Sequence, residues 1–346
     1  MTLMRKIWSK LSKVTAYIQT FKQLICIKLS NTSPYKKTAR TGYLRGIDFY
    51  APLTFYSVIA NAMLNYKKVH GVYPNLVKPQ GFSEKLFWFK FFGEVKIPET
   101  GNKTLTECFI PKHMRHLISC PQIVWHAKQA NLPKNDEIPA GSYYLKASHG
   151  SNMFKKIQYP LTDQERAVLE LTCHQWLAYP YGIETGEWWY NSFEKEILIE
   201  KNVSSEDASI ACGFFVFSGE IGFVLVVKKT ATATQVNWLD KNFVMLPYQP
   251  NKYLRVEDYQ LPSNIEYAKN LCCQIGQSFN FVRVDLLMDA SEHYYHGEMT
   301  FSPSNAMTLR PAEMEAYLGN LWKNSLKPCS IIHFYASIKT QRPVDA

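Results

Sequence analysis

Hydrophobic and polar residues alternate most sharply over residues 281–287, where Val282, Val284 and Leu286 fall on one side and Arg283, Asp285 and Leu287 on the other. A two-residue period of this kind predicts a half-buried strand. A polar break follows at 289–293, and then a second run at 294–301. Pairing the two runs as a hairpin sets Asp285 and Glu298 at similar distances from the turn, with Thr300 on the face of Glu298. Near the N-terminus the period changes to three and four. Met4, Ile7, Trp8, Leu11, Val14, Ile18, Phe21 and Ile25 form one stripe of a predicted amphipathic helix, with the lysines mostly off that stripe. Further helices are predicted over 49–66, over 84–92 with Ser83 as N-cap, over 162–177 with Thr162 as cap, and over 263–278. Strands are predicted at 142–147 and 197–199, and as a pair across 213–228 around the Ser218-Gly219 turn. Residues 31–47 read as a polar linker, 73–81 as a turn-rich boundary, and 105–117 as a mixed segment. Strand-rich and helical stretches in this order, with much antiparallel pairing, predict α+β lobes and argue against a doubly wound parallel sheet.

At 346 residues, 46% hydrophobic and 14% aromatic, the chain has the apolar material for two or three cores. Its eight cysteines form no CxxC pair and no Cys/His metal spacing, which argues for reduced thiols and against a structural zinc site. The net charge of +10 is concentrated at one end. Ten basic residues (Arg5, Lys6, Lys10, Lys13, Lys22, Lys28, Lys36, Lys37, Arg40 and Arg45) precede the first acid, Asp48. Removing those ten from the 39 Lys+Arg leaves 29, equal to the 29 Asp+Glu, so the body is neutral. No nucleic-acid module follows the basic segment, so nucleic acid is not an expected partner. No apolar run approaches the roughly 20 residues of a spanning helix, and charge interrupts each run before a signal-peptide core forms. The expected location is cytoplasmic. Residues 1–29 either lie on an anionic surface at the inner face of the plasma membrane or pack on the body.

Three local constellations carry chemistry. Asp285, Glu298, Arg283 and Thr300 place two carboxylates, a cation and a hydroxyl on one sheet surface, the components of a Mg²⁺–triphosphate site; a solvated strand face is the alternative. Lys146 ends a strand and precedes the loop Ser148-His149-Gly150-Ser151-Asn152, a workable phosphate clamp; the alternative is a surface lysine beside an ordinary loop. No GxxxxGK[ST] motif is present. Glu200 and Lys201 follow the apolar strand Ile197-Leu198-Ile199, where backbone groups can meet an adenine edge; the alternative is a solvated strand end. There is no convincing Ser/His/Asp or Cys/His group, and His149 reads as a hydrogen-bond donor of its loop, not as a base.

The order of these fragments is specific. LKASHGS, ILIEKNV, FVRVDLL and GEMTFSP follow one another as in ATP-grasp enzymes, and PQGFSEKLFWFK and GEWWY resemble signatures of the TupA-like branch, associated with teichuronopeptide and capsular polysaccharide biosynthesis. The resemblance runs over about 73–305. It implies an ATP-grasp fold and the cofactors ATP and Mg²⁺. Lys146 would match the lysine that contacts the ATP phosphates, His149, Gly150 and Ser151 the mobile loop that covers them, and Glu200 and Lys201 the hinge under adenine. Arg283 would face the transferred phosphoryl group. Asp285 and Glu298 would hold Mg²⁺, with Thr300 where many such ligases have Asn. The implied reaction joins a carboxylate to an amine through an acyl phosphate, with a uronic acid and an amino acid or amine as natural substrates in surface polysaccharide assembly. A glycosyltransferase and a degenerate, non-catalytic scaffold are the competing readings.

The chain also departs from the pattern it resembles. Gly213 stands where the branch usually has Lys. An Asp-Lys pair is missing near Thr106 and Glu107, with Lys103 or Lys112 as substitutes. ELTFTPGSG becomes EMTFSPSNA, and basic residues are absent at 234–236. The expected division is a basic helix and linker at 1–47, a helical region at 48–138, a small lobe with the phosphate loop at 139–201, a large lobe with the metal site at 202–335, and a tail at 336–346.

Overall fold

A computed structural model describes residues 2–29, 52–92, 98–203, 209–229, 232–247, 254–255 and 261–322. The polar linker and the tail expected from the sequence lie outside them. Helices α1 (Thr2–Leu29), α2 (Pro52–His70) and α3 (Phe82–Phe92) come first, followed by three short 3-10 segments. Strands β1 (Ile123–Ala127), β2 (Gly141–Ala147) and β3 (Phe154–Tyr159) lead to helix α4 (Asp163–Ala178). Then come β4 (Ile197–Lys201), β5 (Ser209–Phe217), β6 (Glu220–Lys229), β7 (Thr234–Leu239) and helix α5 (Ile265–Gly276). The hairpin β8 (Val282–Met288) and β9 (Tyr294–Thr300) precedes helix α6 (Ala312–Leu321). The expected α+β class holds, and both sheets are antiparallel.

The chain divides into two compact units. One gathers Met1–Lys96, Tyr181–Trp188 and Phe301–Asn324. Its core is aromatic: Phe82, Phe87, Trp88, Phe91 and Phe92 of α3 are all buried, so the helix is apolar around most of its circumference, as a fully enclosed helix must be. Ser83 is not the N-cap expected of it. The helix starts two residues before the expected Glu84, at Phe82, and Glu315 of α6 accepts both the Ser83 N–H (2.7 Å) and its hydroxyl (2.7 Å). Lys85 in turn donates to the carbonyls of Gly319 (2.8 Å) and Trp322 (3.1 Å), satisfying the end of α6 with a cation where the helix dipole favours one. Beyond Pro303, the residues Ser304, Asn305 and Ala306 all take left-handed φ values of 51°, 55° and 65°. These are the positions at which the resembled pattern has Gly-Ser-Gly, and the conformation explains those glycines. Here the turn is held from outside. The buried Lys90 donates to the Asn305 side chain and to the Thr185 carbonyl (3.1 Å), and His70 Nε2 donates to the Ala306 carbonyl (2.9 Å).

The other unit contains Ile97–Pro180 and Trp189–Thr300. Its four-stranded sheet has the order β1-β4-β2-β3, and its five-stranded sheet the order β7-β6-β5-β8-β9. Helix α4 has the expected start. Thr162 accepts from the Glu165 N–H while Glu165 accepts from the Thr162 N–H, a complete capping box. The β5–β6 hairpin turns at Ser218 (φ 52°) and Gly219 (φ 89°), the paired left-handed residues of a tight hairpin. Helix α5 buries Ile265, Ala268, Leu271, Cys272 and Ile275 against β5, β6 and β8. Gly276 permits the approach, since a Cβ there would lie 2.5 Å from Val216. One face of the large sheet is thereby closed, and the polar side chains of β8 point to the other. Strands β1, β3 and β7 and helix α6 were not individually legible in the sequence; the first three are short, and none alternates cleanly.

Candidate active site

The β8–β9 hairpin fixes the centre of the site. Val282, Val284, Leu286 and Met288 are buried, while Arg283, Asp285 and Leu287 are half-buried on the opposite face. Asp285 pairs directly with Glu298, and Arg283 with Thr300. The ladder then slips by one residue, because Leu286 pairs with His296 and Gly297 is the extra residue. This bulge decides the chemistry. Tyr294 and His296 are buried, and uninterrupted alternation would turn Glu298 and Thr300 inward with them. The inserted glycine moves both onto the face of Asp285.

On that face Arg283 grips Asp285 with two hydrogen bonds, Nε to Oδ1 at 2.7 Å and Nη2 to Oδ2 at 2.5 Å. Arg283 Nη2 also donates to Thr300 Oγ1 (3.2 Å) and lies 3.5 Å from Glu298 Oε1. The Thr300 hydroxyl is 3.3 Å from Glu298 Oε1 and 3.5 Å from Asp285 Oδ2. Burial raises the Asp285 carboxyl to about 6; Arg283 pulls it down and Glu298 pushes it up. Burial would also raise Glu298, but Lys103, Arg283 and Lys146 together hold it below the usual carboxylate range.

Lys103 is the residue whose role the sequence left undecided. It opens the 3-10 segment Lys103–Phe109, where Asn102 caps by accepting from the Thr104 N–H. Its ammonium donates to the Gly150 carbonyl at 2.6 Å and lies 4.0 Å from Glu298 Oε2. Burial lowers its pKa, with Glu298 opposing that shift and Lys146 reinforcing it. Lys112, the other substitute considered, is exposed on the segment Lys112–Met114. No sequence period marked Lys103, because it sits in a mixed stretch with neither a helix nor a strand pattern.

The four-stranded sheet supplies the remaining groups. Lys146 on β2 forms an ion pair with Glu200 on β4 and lies 5.4 Å from the centre of the Tyr144 ring. The Glu200 carboxylate is therefore engaged by Lys146. Lys103, Lys146, Arg283, Asp285, Glu298, Thr300 and Glu200 form one electrostatically linked cluster. His149 and Gly150 adjoin it through Lys103, whereas the side chains of Ser151 and Lys201 are exposed and are not drawn into it. His149 is fully buried and shares a hydrogen bond with the Trp176 carbonyl at 3.2 Å, which makes Nε2 the protonated nitrogen. Burial, with Lys195 and Lys103, lowers its pKa to about 4, so it stays neutral. A group so anchored is a structural donor of the loop.

The cluster suits a hard divalent cation. Its donors are all oxygen, two of them carboxylates set opposite one another. Among the described residues no group of three His, Cys, Asp or Glu side chains is placed to hold a metal ion together; Mg²⁺ commonly keeps waters and phosphate oxygens as ligands beside one or two carboxylates. Gly213 completes the cradle. It pairs with Asp285 across β5 and β8, and a Cβ there would lie 2.9 Å from Asp285 Oδ1 and 3.2 Å from Arg283 Cδ. With the Arg283–Asp285 pair in this position, no side chain fits.

Residues 174–323 match the family model described as TupA-like ATP-grasp, so the resemblance read from the motifs is borne out over that part of the chain, which includes β4 and the β8–β9 hairpin. Solved structures that the chain resembles at a distance include the ATP-grasp ligase PsnB with a minimal precursor, Mg and ADP (9% identity, TM-score 0.38, covering 70% of this chain and 66% of that one). They also include D-alanine–D-alanine ligase from Bacillus anthracis with ATP (14%, 0.39, 70% and 68%) and an L-amino acid ligase from Bacillus licheniformis (11%, 0.41, 77% and 60%). The chain thus spans roughly two thirds of the solved ligases it matches. Likenesses this distant assign neither substrate nor partner. No curated protein matches the chain.

Proposed function

We propose that the protein is an ATP-dependent ligase that activates a carboxylate as an acyl phosphate and passes it to an amine, with a uronic acid and an amino acid or amine of a surface polysaccharide as the substrate classes. The observation that supports the reading most is the direct pairing of Asp285 with Glu298, with Arg283 and Thr300 on the same face. Three cations (Lys103, Lys146 and Arg283) stand beside three carboxylates (Glu200, Asp285 and Glu298). In this state they neutralise one another, which is how buried charges are tolerated. A polyphosphate gives the cations an alternative partner. Mg²⁺, when bound, supplies a Lewis acid that spreads charge from the phosphoryl oxygens.

The residues then divide by charge. Asp285 and Glu298 would hold the cation, with Thr300 Oγ1 beside them, leaving Arg283 and Lys103 to other partners. Arg283, freed from Asp285, reaches the phosphoryl group being transferred, and Lys103 and Lys146 hold the remaining phosphate oxygens through charge-assisted bonds. In the first step the substrate carboxylate attacks the γ-phosphorus and ADP leaves. In the second step the amine attacks the acyl carbon, phosphate leaves, and the ammonium proton goes to solvent. Positioning and electrostatics carry both steps, which suits a site whose histidine stays neutral.

The test is a coupled assay for ADP and phosphate with paired acid and amine panels. Release of both products that requires both substrates supports the ligase, and stabilisation by a nucleoside diphosphate sugar with none by Mg-ATP contradicts it. A second reading, a non-catalytic relative, is favoured by Gly213 in place of Lys and by cation–carboxylate pairs closed on each other. It predicts nucleotide binding without turnover for any substrate pair.

A further inference from the structure

We infer that α1 is a docking face for an anionic lipid bilayer, independent of the nucleotide site. Among the described residues, one side of the helix is used by the fold. Ala16, Thr20 and Gln23 are buried. The Thr20 hydroxyl bonds the Ala16 carbonyl (2.8 Å) and reaches Met63 Sδ of α2 (3.1 Å), and Gln23 meets the Pro74 carbonyl (2.9 Å) and the Leu76 N–H (2.5 Å). Tyr17 packs edge-on against Tyr56 at 5.3 Å. The fold thus anchors the small and polar side of α1. The large apolar side is left open: Trp8 is 66% exposed and Phe21 59%, and Leu11, Val14, Ile18 and Ile25 are exposed with them.

The geometry of the two sides is complementary. At about 100° per residue the six exposed apolar residues fall within an arc of about 140°, centred roughly opposite Ala16, Thr20 and Gln23. A helix that packed by its hydrophobic stripe would show the reverse. The sequence left open whether the stripe packs on the body, and the structure shows that Trp8, Leu11, Val14, Ile18, Phe21 and Ile25 do not bury it there.

Charge selects the occupant. Lys10, Lys13 and Lys22 are exposed along the same helix, and the ten basic residues before Asp48 have no acid among them. A second copy pairing through this face would bring two such segments together with no compensating carboxylate, which opposes self-association. An anionic bilayer satisfies both features, taking Trp and Phe into the interface and the lysines at the headgroups. No helix among the described residues is long and apolar enough to cross a membrane, so the contact is interfacial.

The experiment uses the full-length protein with vesicles of phosphatidylcholine alone or mixed with phosphatidylglycerol. Sedimentation with the mixed vesicles but not the neutral ones is expected, falling about tenfold or more as salt rises from roughly 0.05 M to 0.5 M. The double variant Leu11→Glu/Ile18→Glu should lose sedimentation while keeping the wild-type melting temperature, because both side chains are largely exposed. Mg-ATP binding should be unchanged in that variant, which separates this inference from the nucleotide assignment. Absence of binding to anionic vesicles overturns it. So does a wild-type dimer in solution that the double variant converts to monomer, because the occupant is then a second copy.

Discussion

At the scale of single residues, the charge balance of the site makes Lys103 the most informative position. Its ammonium bonds the Gly150 carbonyl and faces Glu298, so it links the proposed phosphate loop to the proposed cation ligand. Charge-assisted bonds of this kind are worth about 1.5–3 kcal/mol. Lys103→Met should therefore weaken Mg-ATP binding by roughly tenfold to a hundredfold in calorimetry; unchanged affinity would remove Lys103 from the site. His149 gives a pH test. Its folded pKa of about 4 lies below the ordinary histidine value of 6.5, so between these pH values the unfolded chain takes up a proton that the folded chain refuses. Stability from this group is complete above about 6.5 and falls as pH drops toward 4, by at most about 3 kcal/mol. His149→Gln should show a smaller loss of denaturation free energy between pH 7 and pH 4.5 than wild type; an equal loss would assign the pH dependence to other groups.

At the scale of elements, the hairpin shows what a sequence period reveals and what it conceals. Val282, Val284 and Leu286 declared β8 outright, because strict alternation has no other regular solution. β9 was legible as a strand with Glu298 and Thr300 on the face of Asp285, but the bulge at Gly297, which lets Tyr294 and His296 point inward while Glu298 points outward, was not. Gly213 was legible only as a departure; its space relative to Asp285 is a tertiary fact. Gly213→Ala places a Cβ in contact with Asp285 and should reduce Mg²⁺-dependent nucleotide binding while Mg²⁺-independent binding changes little. Equal loss of both would place the effect on the fold. The left-handed turn after Pro303 makes a stability prediction of its own. Ala306 at φ 65° has a conformation that costs an L-residue about 1–2 kcal/mol, against about 0.5–1 for the added freedom of glycine. Ala306→Gly should raise stability by roughly 0.5–1 kcal/mol; destabilisation would mean that the methyl group packs usefully.

At the scale of the whole molecule, the basic N-terminal helix and the neutral body were separable from charge alone, whereas the exposed side of α1 was not. Periodicity reports that a helix is two-sided, and only packing reports which side the fold uses. The site behaves in the same way. Lys146, Arg283, Asp285 and Glu298 were legible because they end or line strands, while Lys103 depends on how a 3-10 segment meets the phosphate loop. The central claim is that Asp285 and Glu298 form a divalent-cation site for a nucleotide. The most direct measurement is calorimetric titration with a non-hydrolysable ATP analogue, with and without Mg²⁺, for wild type and for Asp285→Asn/Glu298→Gln. The prediction is binding that Mg²⁺ strengthens in wild type, with that strengthening lost in the double variant. Equal Mg²⁺ dependence in both proteins, or no binding by wild type, would contradict it.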